Sequence, residues 1–199
     1  MGEEIMKMVI KKPEITVFAG PNGSGKTTIT AISPHVVSPY INADEIKRST
    51  YCSDLEAAQK AEEMRVQCIE SGQSFSFETV LSTDRNMNLL KIARNKGYFI
   101  RGIYVLTASA ELNVFRVQAR LKSGGHGVPA EKIRSRYTKS VTNLSEFVEL
   151  CDVCHIYDNT GKEPQRIFKK KREEITFWVN QFWPRSKISE LVGVPLPKK

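Results

Sequence analysis

Residues Gly20-Pro-Asn-Gly-Ser-Gly-Lys-Thr27 constrain this chain more than any other segment. Gly20, Gly25, Lys26 and Thr27 fit the pattern Gly-x4-Gly-Lys-[Ser/Thr]. The apolar, β-branched run Ile15-Thr-Val-Phe-Ala19 precedes it, and helix-forming sequence follows to about residue 33. A strand, a glycine-rich turn and a helix in that order let successive backbone N–H groups converge on an anion at a helix N-terminus. Lys26 then reaches the β- and γ-phosphates of a nucleotide, and the Thr27 hydroxyl is placed to ligate Mg2+. Gly20, Pro21, Asn22, Gly23, Ser24, Gly25, Lys26, Thr27 and Thr28 are thus the expected ATP-binding residues, with Thr27 as the metal ligand.

The rest of the chain sets that loop in an α/β domain. Residues 40–42, 75–78, 98–106 and 153–157 read as four further short strands. Helical composition covers 54–71, closed by Gly72, then 83–96, closed by Gly97, then a stretch capped by Ser109 that runs to about 122. From 130 to 150, Ile133, Tyr137, Val141, Leu144 and Val148 recur at helical spacing. The basic run 169–172 is expected to open a last helix through Phe182, stopped by Trp183-Pro184, with Trp178 and Phe182 on one packed face. Strands alternating with helices predict βαβ units, hence one P-loop domain over 1–199 with a parallel five-stranded sheet flanked by helices. Its core is expected over about 14–160, a helical lid over about 109–150 and a helical extension over 165–199.

Composition narrows the partners. Lys+Arg 30 against Asp+Glu 22 gives a net charge of +8, which favours anionic partners without choosing among them. No stretch approaches the roughly 18 uncharged apolar residues of a membrane span. The opening residues carry Glu3 and Glu4 and no apolar run of signal-peptide length, so a cytoplasmic location is expected. Cys52, Cys68, Cys151 and Cys154 then read as small buried hydrophobes. Cys151-Asp-Val-Cys154-His155 matches a haem attachment pattern, but that chemistry needs export, and a zinc half-site here lacks a second Cys/His pair. As part of a strand, Cys151 and Cys154 would face opposite sides.

A phosphoryl transfer needs an orienting or basic carboxylate and cations that meet the moving charge. In a parallel sheet these belong at strand C-termini, on the edge that carries the phosphate loop. Asp44 follows one such strand and Glu78 ends another. Arg116 and Arg120, four apart, share a helical face. Arg134 and Arg136 stand about 200° apart around a helix, so one site is unsuited to both. Arg120 and Arg134 bracket Gly124-Gly-His-Gly most closely and are the expected charge-neutralising residues, with His126 a loop hydrogen-bonder.

Several landmarks together resemble the zeta-toxin-like P-loop kinases: Phe18-Ala-Gly-Pro-Asn-Gly-Ser-Gly-Lys-Thr-Thr28, Ile41-Asn-Ala-Asp-Glu45, Phe75-Ser-Phe-Glu-Thr79, Arg116-Val-Gln-Ala-Arg120, Gly124-Gly-His-Gly-Val-Pro129, Ile133-Arg-Ser-Arg-Tyr137, Asn143-Leu144 and Tyr157-Asp-Asn159. The resemblance covers about 14–160. It implies ATP as donor and an acceptor hydroxyl on a small molecule, a UDP-N-acetylamino sugar in characterised zeta toxins. Carried over by position, Asp44 is the base, Lys26 and Thr27 hold phosphate and Mg2+, Arg120 and Arg134 are lid cations, and Glu78, Thr79, Glu62 and Ser82 contact the acceptor. Thr79-Val-Leu-Ser82 stands where sugar-phosphorylating relatives have a glycine-rich turn. The resemblance allows an antitoxin partner, which the residues themselves do not establish. Two other readings remain: a kinase of RNA or DNA ends, drawing on the 169–172 run, and a regulatory ATPase without a small acceptor. An absence of basic sequence interleaved with aromatics weighs against the first.

Overall fold

The structure, a computed structural model, describes residues 12–123 and 127–195. Gly124, Gly125 and His126 of the expected lid loop lie outside the described residues. The elements run β1 (Glu14–Ala19), α1 (Lys26–Ile32), β2 (Tyr40–Ile41), α2 (Ala43–Thr50), α3 (Asp54–Glu70), β3 (Phe75–Thr79), α4 (Asp84–Asn95) and β4 (Phe99–Leu106). They continue with α5 (Ala110–Lys122), α6 (Ala130–Thr142), α7 (Leu144–Leu150), β5 (Val153–Asp158), β6 (Gln165–Lys171), β7 (Glu174–Phe177) and α8 (Arg185–Val192).

The strands form one sheet in the order β2-β3-β1-β4-β5-β6-β7. The first five are parallel, as expected, and β6 and β7 add antiparallel to the edge. β1 is buried on both faces, which is why its sequence reads as a continuous apolar run. One face, with Ile15, Val17, Phe75, Phe77, Ile100 and Tyr104, packs against α3, α4, α7 and α8. On the other face α1 lays Ile29 over Phe18, Ile103 and Val105. The chain leaves β1 for β2 on one side and later reaches β4 on the other. The carboxyl end of β1 is therefore the switch point, the place where such sheets bind ligands.

Three expectations change. First, residues 165–177 form a hairpin rather than the start of a helix. The free edge of β5 offers unpaired N–H and C=O groups, and β6 satisfies them; Arg172 turns the chain with φ 55°. Helix returns only at α8, so the C-terminal extension is a hairpin followed by one helix, and Trp178 and Phe182 share no helical face. Asn180 fixes the loop between: its Oδ1 accepts from the N–H groups of Phe182 (3.0 Å) and Trp183 (2.9 Å). Second, the stripe over 130–150 is divided at Asn143, whose Nδ2 donates to the Leu81 carbonyl at 3.0 Å. Third, Cys151 caps α7 ahead of β5, so it meets Cys154 instead of facing away from it. All four cysteines are free thiols. Among the described residues no helix is long and apolar enough to cross a membrane.

β4 approaches α7 closely at Gly102, where a Cβ would stand 2.6 Å from Cys151 Sγ and 2.8 Å from the Phe147 ring. Gly102→Ala is expected to destabilise the fold by about 1–3 kcal/mol through overpacking, measured by denaturant unfolding, with no change in nucleotide affinity.

Candidate active site

The phosphate loop is shaped by contacts that exclude side chains. Gly25 has φ 95°, and a Cβ there would lie 2.1 Å from Asn159 Nδ2, which donates to the Ser24 carbonyl at 2.8 Å. Gly20 has φ 139° and faces the Val105 carbonyl, 2.1 Å from where its Cβ would be. Its N–H also bonds the Thr79 carbonyl at 3.2 Å, tying the loop to the end of β3. Asn159 is positioned by its own N–H on the Leu106 carbonyl (2.8 Å) and by Arg116, whose Nη1 donates to the Asn159 carbonyl at 2.7 Å. Arg116 therefore braces the loop from behind.

Lys26 opens α1 and turns back over the loop, donating to the carbonyls of Gly20 (2.8 Å) and Pro21 (3.1 Å). Burial lowers its pKa to about 8; Glu78 and Asp44 oppose that shift, and Arg120 and Arg136 add to it. Four elements thus bring two carboxylates and two guanidiniums within electrostatic reach of one ammonium: α2, β3, α5 and α6. Asp44 lies in the first turn of α2, which Asn42 caps by accepting from the Asp44 N–H at 2.9 Å.

The two arginines of α6 have different partners. Arg134 does not face the phosphate loop: its Nε and Nη2 grip the Glu111 carboxylate at 2.7 and 3.0 Å on an exposed surface of α5 and α6. Arg136, on the far side of α6, donates from Nη1 to Asn22 Oδ1 within the loop at 3.3 Å. The 200° between the two positions decides this, because Ile133 and Ser140 set which side of α6 is buried.

Glu78 is held by groups the sequence did not single out. Tyr40 donates its hydroxyl to Glu78 Oε1 at 2.7 Å, and Thr30 donates to the same oxygen at 3.1 Å. Asn42 Nδ2 donates in turn to the Tyr40 oxygen at 3.2 Å. Burial and the Glu78 charge hold the Tyr40 hydroxyl above its ordinary pKa. The parallel β2–β3 pairing places Tyr40 opposite Ser76 and thus on the face of Glu78, a proximity legible only once that pairing is known.

The remaining expected acceptor residues are dispersed. Thr79 is buried and its Oγ1 accepts from the Leu81 N–H (3.0 Å) and Asn86 Nδ2 (2.8 Å), which commits it to the turn after β3. In that turn buried Leu81 takes φ 58°, a left-handed conformation costly for a branched residue. Ser82 borders a groove of about 400 Å3 between α4 and α6. Glu62 pairs with Arg85 at 2.9 Å beside a groove of about 450 Å3 along α3. Among the described residues no group of three or more His, Cys, Asp or Glu side chains could cage a metal ion. Mg2+ bound with a nucleotide needs no such cage, because phosphates and water supply most ligands. Exposed Thr27 and Asp44 are oxygen donors of the right kind at the loop mouth.

The Zeta toxin family model matches residues 3–173. An uncharacterized protein of Haemophilus influenzae is 27% identical over 136 residues, which are 66% of this chain and 97% of that protein. Among solved structures, one from the PezAT chromosomal toxin-antitoxin system of Streptococcus pneumoniae aligns with TM-score 0.62 and 19% identity over 94% of this chain and 81% of that one. The AvrRxo1-ORF1:-ORF2 complex with ATP aligns with TM-score 0.70 and 15% identity over 94% of this chain, which spans 65% of that one. At these identities the structural likenesses show a shared fold.

The lowered pKa of Lys26 has a measurable consequence. Below about pH 8 the free ammonium is charged and ready for a phosphate. Above that value binding must take up a proton, so nucleotide affinity is expected to fall by up to about tenfold per pH unit. Titration calorimetry in buffers of differing ionisation enthalpy reads both the affinity and the proton. Lys26→Arg, charged throughout, should abolish the dependence.

Proposed function

We propose that this chain, which belongs to the zeta toxin family, transfers the γ-phosphate of ATP to a hydroxyl group of a small molecule. The observation that carries this reading is the convergence of Asp44, Glu78, Arg120 and Arg136 on Lys26. The N–H groups of Gly25, Lys26, Thr27 and Thr28 at the start of α1 receive the phosphates, and the Lys26 ammonium exchanges its two loop carbonyls for them. Mg2+, held through the Thr27 hydroxyl, supplies charge neutralisation on the phosphates when bound. Asp44 accepts the proton of the acceptor hydroxyl as its oxygen bonds to the γ-phosphorus and the bond to the ADP oxygen breaks. Arg120 and Arg136 meet the negative charge of the moving phosphoryl group.

Glu78 serves as the acceptor's hydrogen-bonding partner. Tyr40 and Thr30 already occupy its Oε1, which leaves Oε2 for the substrate. A UDP-N-acetylamino sugar is the acceptor we assign first, on the resemblance to the family. The turn held by Thr79, Leu81 and Asn143 would give its pocket a wall unlike a glycine-rich one. An antitoxin-like protein partner belongs to the same reading, supported by the toxin-antitoxin system named for the pneumococcal relative. A cytoplasmic location, where ATP is abundant, belongs to the same reading.

Enzyme incubated with ATP and either a UDP-sugar pool or a metabolite extract is expected to yield a product heavier by one phosphate in mass spectrometry. Hydrolysis of ATP without any such product would establish a regulatory ATPase instead. Asp44→Asn should keep ATP affinity within about threefold while lowering turnover by about 10²–10⁴-fold. Arg136→Ala should lower turnover by about 10²-fold or more, whereas Arg134→Ala should leave it within about threefold.

A further inference from the structure

The hairpin that replaces the expected helix redistributes the basic run. Lys170 turns to the α7 side and donates to the carbonyls of Val148 (2.8 Å) and Glu149 (3.2 Å). Lys169 sits directly across from His155 and Arg166 across from Tyr157, so both share the other sheet face with those rings. The rings form a row: His35 to His155 spans 6.3 Å between centroids, and His155 to Tyr157 spans 6.4 Å with planes only 12° apart. At the margin the Arg166 guanidinium lies 4.3 Å over the Trp178 ring, which is 37% exposed. Burial lowers the His155 pKa to about 4, with Arg166, His35, Lys169 and Arg101 adding to the shift, so the ring is neutral at physiological pH. Glu14 is the acidic group here, and Arg101 already pairs with it at 2.7 Å. α1 covers this face over Phe18, Ile103 and Val105, and Tyr157 packs half-buried against that cluster where the patch begins.

We propose that the face of β4, β5 and β6 bearing Arg101, His155, Tyr157, Arg166 and Lys169, with Trp178 at its margin, binds single-stranded nucleic acid. Flat rings on a sheet, flanked across the strands by cations, provide what an unpaired strand presents: base faces to stack and phosphates to neutralise. Double helices bury their base faces and lack this match. The site is separate from the phosphate loop and stands whether or not the transferase reading does. It also gives the excess positive charge a destination that the nucleotide site alone does not.

The test is fluorescence anisotropy with a labelled oligouridine of about 12 nucleotides, titrated at several salt concentrations. Wild-type protein should bind with a log–log salt slope of about −1.4, reflecting two phosphate contacts made by Arg166 and Lys169. Arg166→Glu with Lys169→Glu should weaken binding at least about tenfold and flatten the slope. Trp178→Ala should weaken it about fivefold or more through lost stacking. Thermal unfolding and ATP affinity of these variants should match the parent, and Lys26→Ala should still bind the oligonucleotide. Absence of binding at physiological salt overturns the proposal, as does indifference to the charge reversals. It is equally overturned if heparin competes as well as the oligonucleotide and Trp178→Ala has no effect, because the face is then a general polyanion surface. Displacement of the oligonucleotide by ATP, or its loss in Lys26→Ala, would move the binding to the phosphate loop and also refute it.

Discussion

One hydrogen bond joins the two halves of this molecule at its reactive edge: Asn159 Nδ2 to the Ser24 carbonyl, 2.8 Å, passing over a glycine that has no room for a side chain. The loop that receives phosphate is thus held from the far side of the sheet as well as by the strand that leads into it. Behind Asn159 stand Arg116, which grips its carbonyl, and Asp158, which accepts from Thr160 on one oxygen and from Asn180 on the other. Asn180 in turn organises the chain between the hairpin and the last helix. Through these contacts the C-terminal segment bears on the geometry of a loop more than a hundred residues earlier in the chain.

What the sequence disclosed follows from how local each determinant is. The phosphate loop was legible because its glycines, lysine and threonine act through backbone geometry within eight residues. The placing of Asp44 and Glu78 near Lys26 was legible because strand ends in a parallel sheet share one edge. That Arg136 touches the loop while Arg134 pairs with Glu111 follows from helical phase, set by the buried Ile133 and Ser140, which the sequence alone does not fix. The hairpin was not legible at all: a lysine-rich stretch reads as helix or surface until the open edge of β5 supplies it with partners. The same holds for Tyr40 and Asn42, whose role depends on which strand lies beside β2.

The site also divides into two sides. Glu78, Tyr40, Asn42 and Thr30 form a connected network on β2, β3, α1 and the N-cap of α2, and Thr79 and Asn86 hold the turn beyond β3. Arg120 and Arg136 come from α5 and α6. A hydrogen-bonded carboxylate network on one side of Lys26 thus faces cations carried by a separate helical pair.

Lys26 resting on the carbonyls of Gly20 and Pro21 has an energetic meaning. The ammonium already has two oxygen partners within its own loop, so a phosphate must compete with them for the same cation. Those two hydrogen bonds are given up when the ammonium turns to a phosphate, so they subtract from the affinity of whatever anion the loop takes.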